Sequence, residues 1–339
     1  MDLPKQWLLR KCSNNMKNPL LEIIGLDQEY KTFKGPAKVL NGVDFYVHER
    51  EKVGLIGESG SGKTTTMKCI MRILPEQQAK ITHGEILFKE KNLLKVRRGY
   101  GVKGISMIFQ DPTASLNPVF TVGQQLIDVA KYSKVLGNSK GNLNKKSLDL
   151  CLKTLSDVNM ADPERIMKYY PVQLSGGMRQ RICIAKALIG VRDLLIADEP
   201  GTNLDVTIQD QILRLINQLV EERKNSIILI SHAIGTMKNL TDRVYCMYAG
   251  TMVEVAKTEE LLIKPLHPYT VELLASVPKL TGEGVSSGIP GTPPDYLKVP
   301  TGCRFHPRCK HAMNKCKQEK PSFFNLGNDR KVSCFLFEN

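Results

Sequence analysis

The sequence predicts an α/β fold built round a parallel sheet, on three observations. KVGLIG (52–57), LLIAD (194–198) and SIILIS (226–231) are short, nearly all-apolar runs, the pattern of strands covered on both faces. The first leads through a glycine-rich loop into a helical pattern. The other two flank a helical pattern over 206–223, and strand, helix, strand with apolar strands implies a right-handed parallel crossover. At 339 residues there is material for one large or two modest domains, and 42% hydrophobic with 24% charged residues is an ordinary soluble composition. No apolar run approaches the ~18 residues of a membrane span.

Residues 1–19 read as a polar, poorly ordered extension. Its apolar triplet, Trp7 to Leu9, is far below the ~7 to 15 apolar residues of a secretory signal, so a cytoplasmic protein is expected. LLEIIGLDQEY and AKVLNGVDFYV have the β-branched and aromatic content of strands, and KVGLIG follows as a central strand. Thr64 to Leu74 reads as a helix closed by Pro75, GEILFK and GISMIFQ as strands, and 121–136 and 145–158 as helices. From Ser175 to Ile189 the apolar residues Ile182, Ile184, Ala185 and Leu188 fall on helical spacing. After SIILIS come two short strands, VYCMYAG and TMVEVA, and two helices, TEELLI and PYTVELLASV. Beyond Pro278, SSGIPGTPPDYLKVPTG is a Gly/Pro-rich connector that continues neither helix nor central strand. The predicted division is 1–19 extension, 20–278 main domain with a helical subdomain at about 112–190, and 279–339 linker and tail.

GESGSGKT at 57–64 fits G-x-x-x-x-G-K-[ST] with a strand before it and a helix after it. Gly57, Gly60 and Gly62 let backbone N–H groups turn inward round a β-phosphate, Lys63 reaches the β/γ oxygens, and Thr64 can ligate Mg²⁺. LLIADEP places Asp198 beside that Mg²⁺ and Glu199 where it can deprotonate an attacking water. Gln110 and His232 end two further strands and are ambiguous alone. LSGGMRQR at 174–181 is a second glycine-lined helix start, with Ser175 as N-cap and bare N–H groups at Gly176 and Gly177. One compact chain cannot bring it to its own nucleotide, so it is suited to a γ-phosphate presented by another subunit.

The succession GESGSGKTT, Gln110, LSGGMRQR, LLIADEP, Asp205 and His232 resembles the nucleotide-binding subunit of ATP-binding cassette (ABC) transporters over roughly residues 20–256. The resemblance implies a P-loop NTPase of the ABC cassette type. Its parts are a RecA-like core, an antiparallel β subdomain, a helical signature subdomain and here a small Cys-rich C-terminal extension. Two subunits would close head to tail on two ATP molecules. The implied nucleotide contacts are Gly57, Ser59, Gly60, Ser61, Gly62, Lys63, Thr64 and Thr65, with Ser175, Gly176, Gly177 and Asp205 at the seam between subunits. Thr64, Gln110 and Asp198 would hold Mg²⁺; Glu199 is the implied base, assisted by Lys63, Gln110 and His232. Tyr30 aligns with the aromatic that stacks on adenine, with Phe33 as a rival.

FQDPTASLNPVFTVGQQL, MYAGTMVEVAKTEELLIKPLHPYTVELLASVP and IPGTPPDYLKVPTGCRFHPRC narrow the resemblance to the oligopeptide/dipeptide importer branch, which also includes some nickel and sugar importers. The implied partners are a second, different ATP-binding subunit, two membrane permease subunits docking on the Gln110 to Gln124 surface, and an extracytoplasmic substrate-binding protein, with the chain peripheral on the cytoplasmic face of the membrane. Departures are Gly201 and Asn203 where that branch reads DEPTTALD, Ala233 for an acidic residue, and Arg50 for a glycine.

Cys12, Cys69, Cys151, Cys183 and Cys246 lie scattered in apolar contexts and read as small core residues, whereas Cys303, Cys309, Cys316 and Cys334 crowd the tail. C-x5-C-x6-C-x17-C is not a paired zinc pattern, and four thiols in a cytosolic chain favour a metal over disulfides. The importer resemblance implies a [4Fe-4S] cluster, with Zn²⁺ or free cysteines as alternatives; His306 and His311 are within reach but are not ligands in the family pattern. The net charge of +14 is spread along the chain, which suits a solvated surface or anionic lipid headgroups. A rival class, a non-transport cassette acting on DNA or ribosomes, would need a long coiled coil between the P-loop and signature or a second cassette, and the sequence has neither. A monomeric P-loop kinase leaves LSGGMRQR without a role.

Overall fold

The computed structural model describes residues 18–95, 102–133, 143–191, 193–202, 204–231, 234–276 and 288–338. Two sheets organise them. β1 (Leu21–Thr32) pairs antiparallel with β2 (Gly35–Val47) on one side, and on the other with β4 (Ala79–Phe88), which β5 (Lys91–Asn92) follows, giving the order β2-β1-β4-β5. Between β2 and β4 the chain enters the second sheet as β3 (Lys52–Ile56) and leaves as α1 (Lys63–Met71).

The second sheet is eight-stranded and completed by β6 (Ile105–Ile108), β7 (Leu194–Asp198), β8 (Ser226–Ile230), β9 (Arg243–Tyr248), β10 (Thr251–Lys257), β11 (Phe324–Asn325) and β12 (Lys331–Val332), in the order β11-β12-β10-β9-β3-β8-β7-β6. The five strands from β9 to β6 are parallel. Both faces of β8 are used, Ile227 and Leu229 entering one core and Ile228 and Ile230 the other. That two-sided burial is why these strands read as continuous apolar runs. It also brings the carboxyl ends of β3, β6, β7 and β8 to one rim, where the loops that follow them can build a site.

Helices α2 (Pro112–Ser115), α3 (Val122–Tyr132), α4 (Leu143–Asp157), α5 (Pro163–Ile166) and α6 (Gly176–Gly190) fill the span between β6 and β7. α3, α4 and α6 pack together round Val122, Leu126, Leu155 and Ile182, all fully buried. α7 (Val206–Arg223) makes the predicted parallel crossover from β7 to β8, and α8 (Ile234–Leu240), α9 (Thr258–Ile263), α10 (Pro268–Ala275) and α11 (Asn314–Gln318) follow. The helix after the P-loop ends earlier than predicted. Arg72 adopts φ 58° and the Ile73 N–H bonds back to Lys68 O at 3.1 Å, so a left-handed cap closes it before Pro75 can act. Among the described residues no helix is long and apolar enough to cross a membrane.

The tail does not simply hang from its connector: β12 extends the main sheet through Glu254↔Val332 and Val255↔Lys331. Beneath that junction Glu254, fully buried, accepts the N–H groups of Leu266 (3.0 Å) and His267 (2.9 Å) and pairs with Arg330 at 3.3 Å. Glu254→Ala removes the acceptor of the Leu266 and His267 N–H groups and the partner of Arg330, and is expected to cost about 2–4 kcal/mol. Equilibrium unfolding in urea reads this, and a loss below about 0.5 kcal/mol would mean the junction contributes nothing.

Candidate active site

The P-loop leaves β3 at Gly57 (φ 154°) and enters α1 after Gly62 (φ 104°). A Cβ at Gly57 would collide with the Met247 carbonyl, and one at Gly62 would press Leu40 at 3.0 Å, so glycine is required at both. Lys63 is buried and folds back on its own loop, donating from Nζ to Gly57 O (2.9 Å) and Glu58 O (3.0 Å). Burial lowers its pKa, and the nearby Glu199 and Asp198 carboxylates pull it back up. Among the described residues Ser61 Oγ is buried without a hydrogen-bond partner, whereas Ser59 and Gly60 are exposed and Thr64 and Thr65 half-buried.

Asp198 ends β7 at 2% exposure. Burial raises its carboxyl pKa, and the Thr64 hydroxyl bonded to it acts in the opposite sense. Among the described residues its Oδ1 has no hydrogen-bond partner. An orphaned anionic oxygen beside a threonine hydroxyl fits a divalent cation held by Thr64 and Asp198. Glu199, the next residue, takes φ 49°, a conformation rare outside glycine that is fixed here by bonds from its N–H to Ile230 O (3.0 Å) and from Gly201 N–H to its carbonyl (2.7 Å). Its Oε2 accepts from Gln110 Nε2 at 2.8 Å and Thr202 Oγ1 at 3.2 Å. The Gln110 amide nitrogen is therefore engaged with the carboxylate, which leaves its Oε1 as the atom a cation could use. Thr202 was not singled out by any motif.

The second glycine-lined turn lies on the exposed end of α6. Ser175 caps that helix, accepting from Met178 N–H at 3.3 Å, and Gly176 and Gly177 lie against Leu204 and Ile208 at the start of α7. Asp205 is exposed and caps α7 through Ile208 N–H at 2.9 Å. Thus the signature turn and the Asp205 turn share one patch. Tyr30 is half-buried, opposite Ala37 in β2 and Ala79 in β4, while Phe33 stands fully exposed in the hairpin turn. Arg50 occupies a left-handed position, φ 61°, where glycine would be unstrained. His232, Asn203, Ala233 and Cys12 lie outside the described residues.

In the tail, Cys303, Cys309, Cys316 and Cys334 line one cavity with His306 and His311, holding about 330 Å³ of atom-free space that is partly open to solvent. All four thiols are free. Burial pushes the Cys303 thiol up to about 11, and the neighbouring Cys316, Cys334 and Cys309 thiols add to the effect; Cys309 and Cys334 are raised for the same reasons. Among the described residues no three His, Cys, Asp or Glu side chains stand close enough to hold a single ion. This gives no support to the [4Fe-4S] expectation or to its Zn²⁺ alternative. Cys69, Cys151, Cys183 and Cys246 are buried as expected.

Sequence patterns gave no sign that the tail touches the P-loop. Arg308 pairs with Glu58 at 2.8 Å, Tyr269 Oη accepts the Glu58 N–H at 2.7 Å, and Tyr296 Oη donates to Gly60 O.

Comparison with known proteins agrees with this geometry. A family profile described as ABC transporter matches residues 40–202, and one described as oligopeptide/dipeptide transporter, C-terminal region, matches 253–316. The oligopeptide transport ATP-binding protein AppD of Bacillus subtilis is 43% identical over 325 residues, covering 94% of this chain and 97% of its own length. The dipeptide transport ATP-binding protein DppD of the same species is 42% identical and the oligopeptide transport ATP-binding protein OppD of Salmonella typhimurium 41%, each with 94% of both chains covered. Among solved structures, the dimeric bacterial ABC transporter cassette MJ0796 superposes with a TM-score of 0.58 at 25% identity, covering 70% of this chain and 98% of that one. Its post-hydrolysis dimer with ADP and Pi superposes with a TM-score of 0.60 at 24% identity, a likeness of fold.

Gly201 lies under Gln209, and a Cβ there would meet Gln209 Cγ at 2.8 Å. Gly201→Thr is therefore expected to lower stability by about 1–3 kcal/mol through overpacking, and Gln209→Ala in the same chain to recover most of the loss. Thermal unfolding of the two variants checks this.

Proposed function

The chain belongs to the ATP-binding subunits of the oligopeptide and dipeptide ABC transporters, and we propose that it is the ATP-hydrolysing motor of a peptide importer, working with a second cassette on the cytoplasmic face of the membrane. The observation that carries the reading is the split between two anion-gripping turns. One, with Lys63, Asp198 and Glu199, forms a buried acid-and-amine rim, while the other, Ser175 to Gly177, opens outward from an exposed helix end. A phosphate cradle that faces solvent is of use only to a nucleotide held by another chain.

In the proposed cycle the backbone N–H groups of 57–65 and the Lys63 amine take the phosphates, which replace the Gly57 and Glu58 carbonyls as Lys63's acceptors. When bound, Mg²⁺ held by Thr64 and Asp198, with Gln110 Oε1 completing the set, would neutralise charge on the β and γ oxygens. Glu199 takes the proton of the attacking water, with its carboxylate aimed by the turn through Gly201 and Thr202. Ser175, Gly176 and Gly177 would complete the partner's site, and Asp205 would meet that partner at the seam. His232 keeps its proposed place at the γ-phosphate. Tyr30, half-buried on β1 opposite Ala37 and Ala79, is proposed to carry the adenine.

Val119 and Phe120, 70% and 48% exposed between Gln110 and Gln124, supply an apolar surface for the permease subunits. The partner cassette is proposed to be a different chain. Cargo selection would rest with the permease and the extracytoplasmic binding protein.

Cys303, Cys309, Cys316 and Cys334 are proposed as the ligands of a structural [4Fe-4S] cluster, on the ground that all four line one cavity. Such a cluster would join three separate stretches of the tail through its sulfur ligands.

Glu199→Gln is expected to keep ATP binding, to lose at least about 100-fold in turnover, and to accumulate an ATP-bound dimer by light scattering that Ser175→Arg in the same background disperses. Full turnover by Glu199→Gln would contradict the base, and a dimer indifferent to Ser175→Arg would contradict the seam. For the tail, anaerobically purified protein should contain about four irons per chain with a broad visible charge-transfer band; iron-free protein with an intact fold would remove the cluster.

A further inference from the structure

Between Cys303 and Cys309 the tail carries two arginines that turn from the thiol cavity into the cassette. Arg304, buried, donates to Ala249 O, Val39 O and Lys38 O. Arg308, its side chain 4% exposed, forks over the P-loop acid: Nη1 donates to Glu58 Oε2 at 2.8 Å and Nη2 to Glu58 Oε1 at 3.1 Å. Its remaining donors bond Pro290 O at 2.8 Å, Ile289 O at 3.1 Å and Tyr248 Oη at 3.4 Å. Every N–H on that guanidinium side is thus aimed, which is the geometry of a fixed clamp rather than of a wandering surface pair.

Such a clamp has a consequence at the phosphate site. The loop binds phosphate through peptide N–H groups whose directions depend on torsions at glycines 57, 60 and 62, the residues with the most freedom to turn. Glu58 sits among them, and an unneutralised carboxylate there would oppose an incoming polyanion. Arg308 cancels that charge and fixes the side chain, while Tyr296 and Tyr269 hold the backbone at Gly60 and Glu58.

Resting on the reading of 57–65 as the ATP site, we propose that Arg308 is a positioning residue for nucleotide: it neutralises and orients Glu58 from the tail, so that the seating of the tail sets the affinity of the P-loop. Segment 303–309 also carries two of the four cavity cysteines, which makes it the shared structural element of the thiol cavity and the phosphate site.

The test is a thermodynamic cycle on the full chain, titrated with a fluorescent ATP analogue and Mg²⁺. Arg308→Ala should weaken binding about tenfold and raise the KM for ATP while kcat stays near that of the parent. Arg308→Lys, which keeps the charge and loses the fork, should weaken it about threefold. In a Glu58→Gln background, with the charge already gone, either Arg308 substitution should cost less than about twofold. The proposal is overturned if Arg308→Ala and Arg308→Lys bind as the parent does, or if their losses are unchanged in the Glu58→Gln background. Should the alanine variant not fold, the lysine and glutamine variants carry the same cycle. A parent chain that fails to bind the analogue would instead defeat the ATP-site reading itself.

Discussion

Lys63 is a cation placed where water cannot reach it, and much of the rim follows from that. An amine buried at the end of a central strand must find oxygen acceptors or lose its proton. Here it takes two carbonyls of its own loop, with the Glu199 and Asp198 carboxylates close enough to hold its charge. A triphosphate entering beside two buried acids brings more negative charge than one lysine offsets, so the site calls for a divalent cation and for a helix dipole from outside. In the proposed function, Asp198 Oδ1 would answer the first need and the Ser175 turn of a second cassette the second.

The same economy of charge explains why the tail is part of the cassette. β12 hydrogen-bonds to β10, Glu254 is neutralised by Arg330 under that pairing, and Arg304 caps the carbonyls of Lys38, Val39 and Ala249. Each arginine satisfies groups that the nucleotide-binding part leaves open. Tyr248, Tyr269 and Phe305 stack between the two regions with ring centroids 4.6–5.5 Å apart, filling the space behind the P-loop. A core shared this way leaves the tail little independence from the sheet it extends.

Local physics decided what the sequence could reveal. β7 and α7 run as predicted, Leu194–Asp198 and Val206–Arg223, because an apolar strand and a capped amphipathic helix each announce themselves within their own residues. The P-loop and the Asp198–Glu199 pair were legible for the same reason. Short helices such as α2, α5 and α8 escaped, since four to seven residues carry too little period to see. The end of α1 was misjudged because a left-handed arginine cap leaves no compositional trace. Arg308 and Glu58 are 250 positions apart, and the Gln110–Glu199 bond spans 89, so neither pair has any local signature. The two-residue strands β11 and β12 exist only because β10 offers an edge.

The Gln110–Glu199 bond also constrains how the proposed motor would be gated. A carboxylate that accepts from both Gln110 and Thr202 has its Oε2 lone pairs committed. Thr202 belongs to the same tight turn as Glu199 and moves with it. Gln110 does not: it is exposed, and it begins the segment that runs through Asp111 and α2 to the exposed Val119 and Phe120. In the proposed reading, a permease docked on that apolar surface would act on the base through this one side chain.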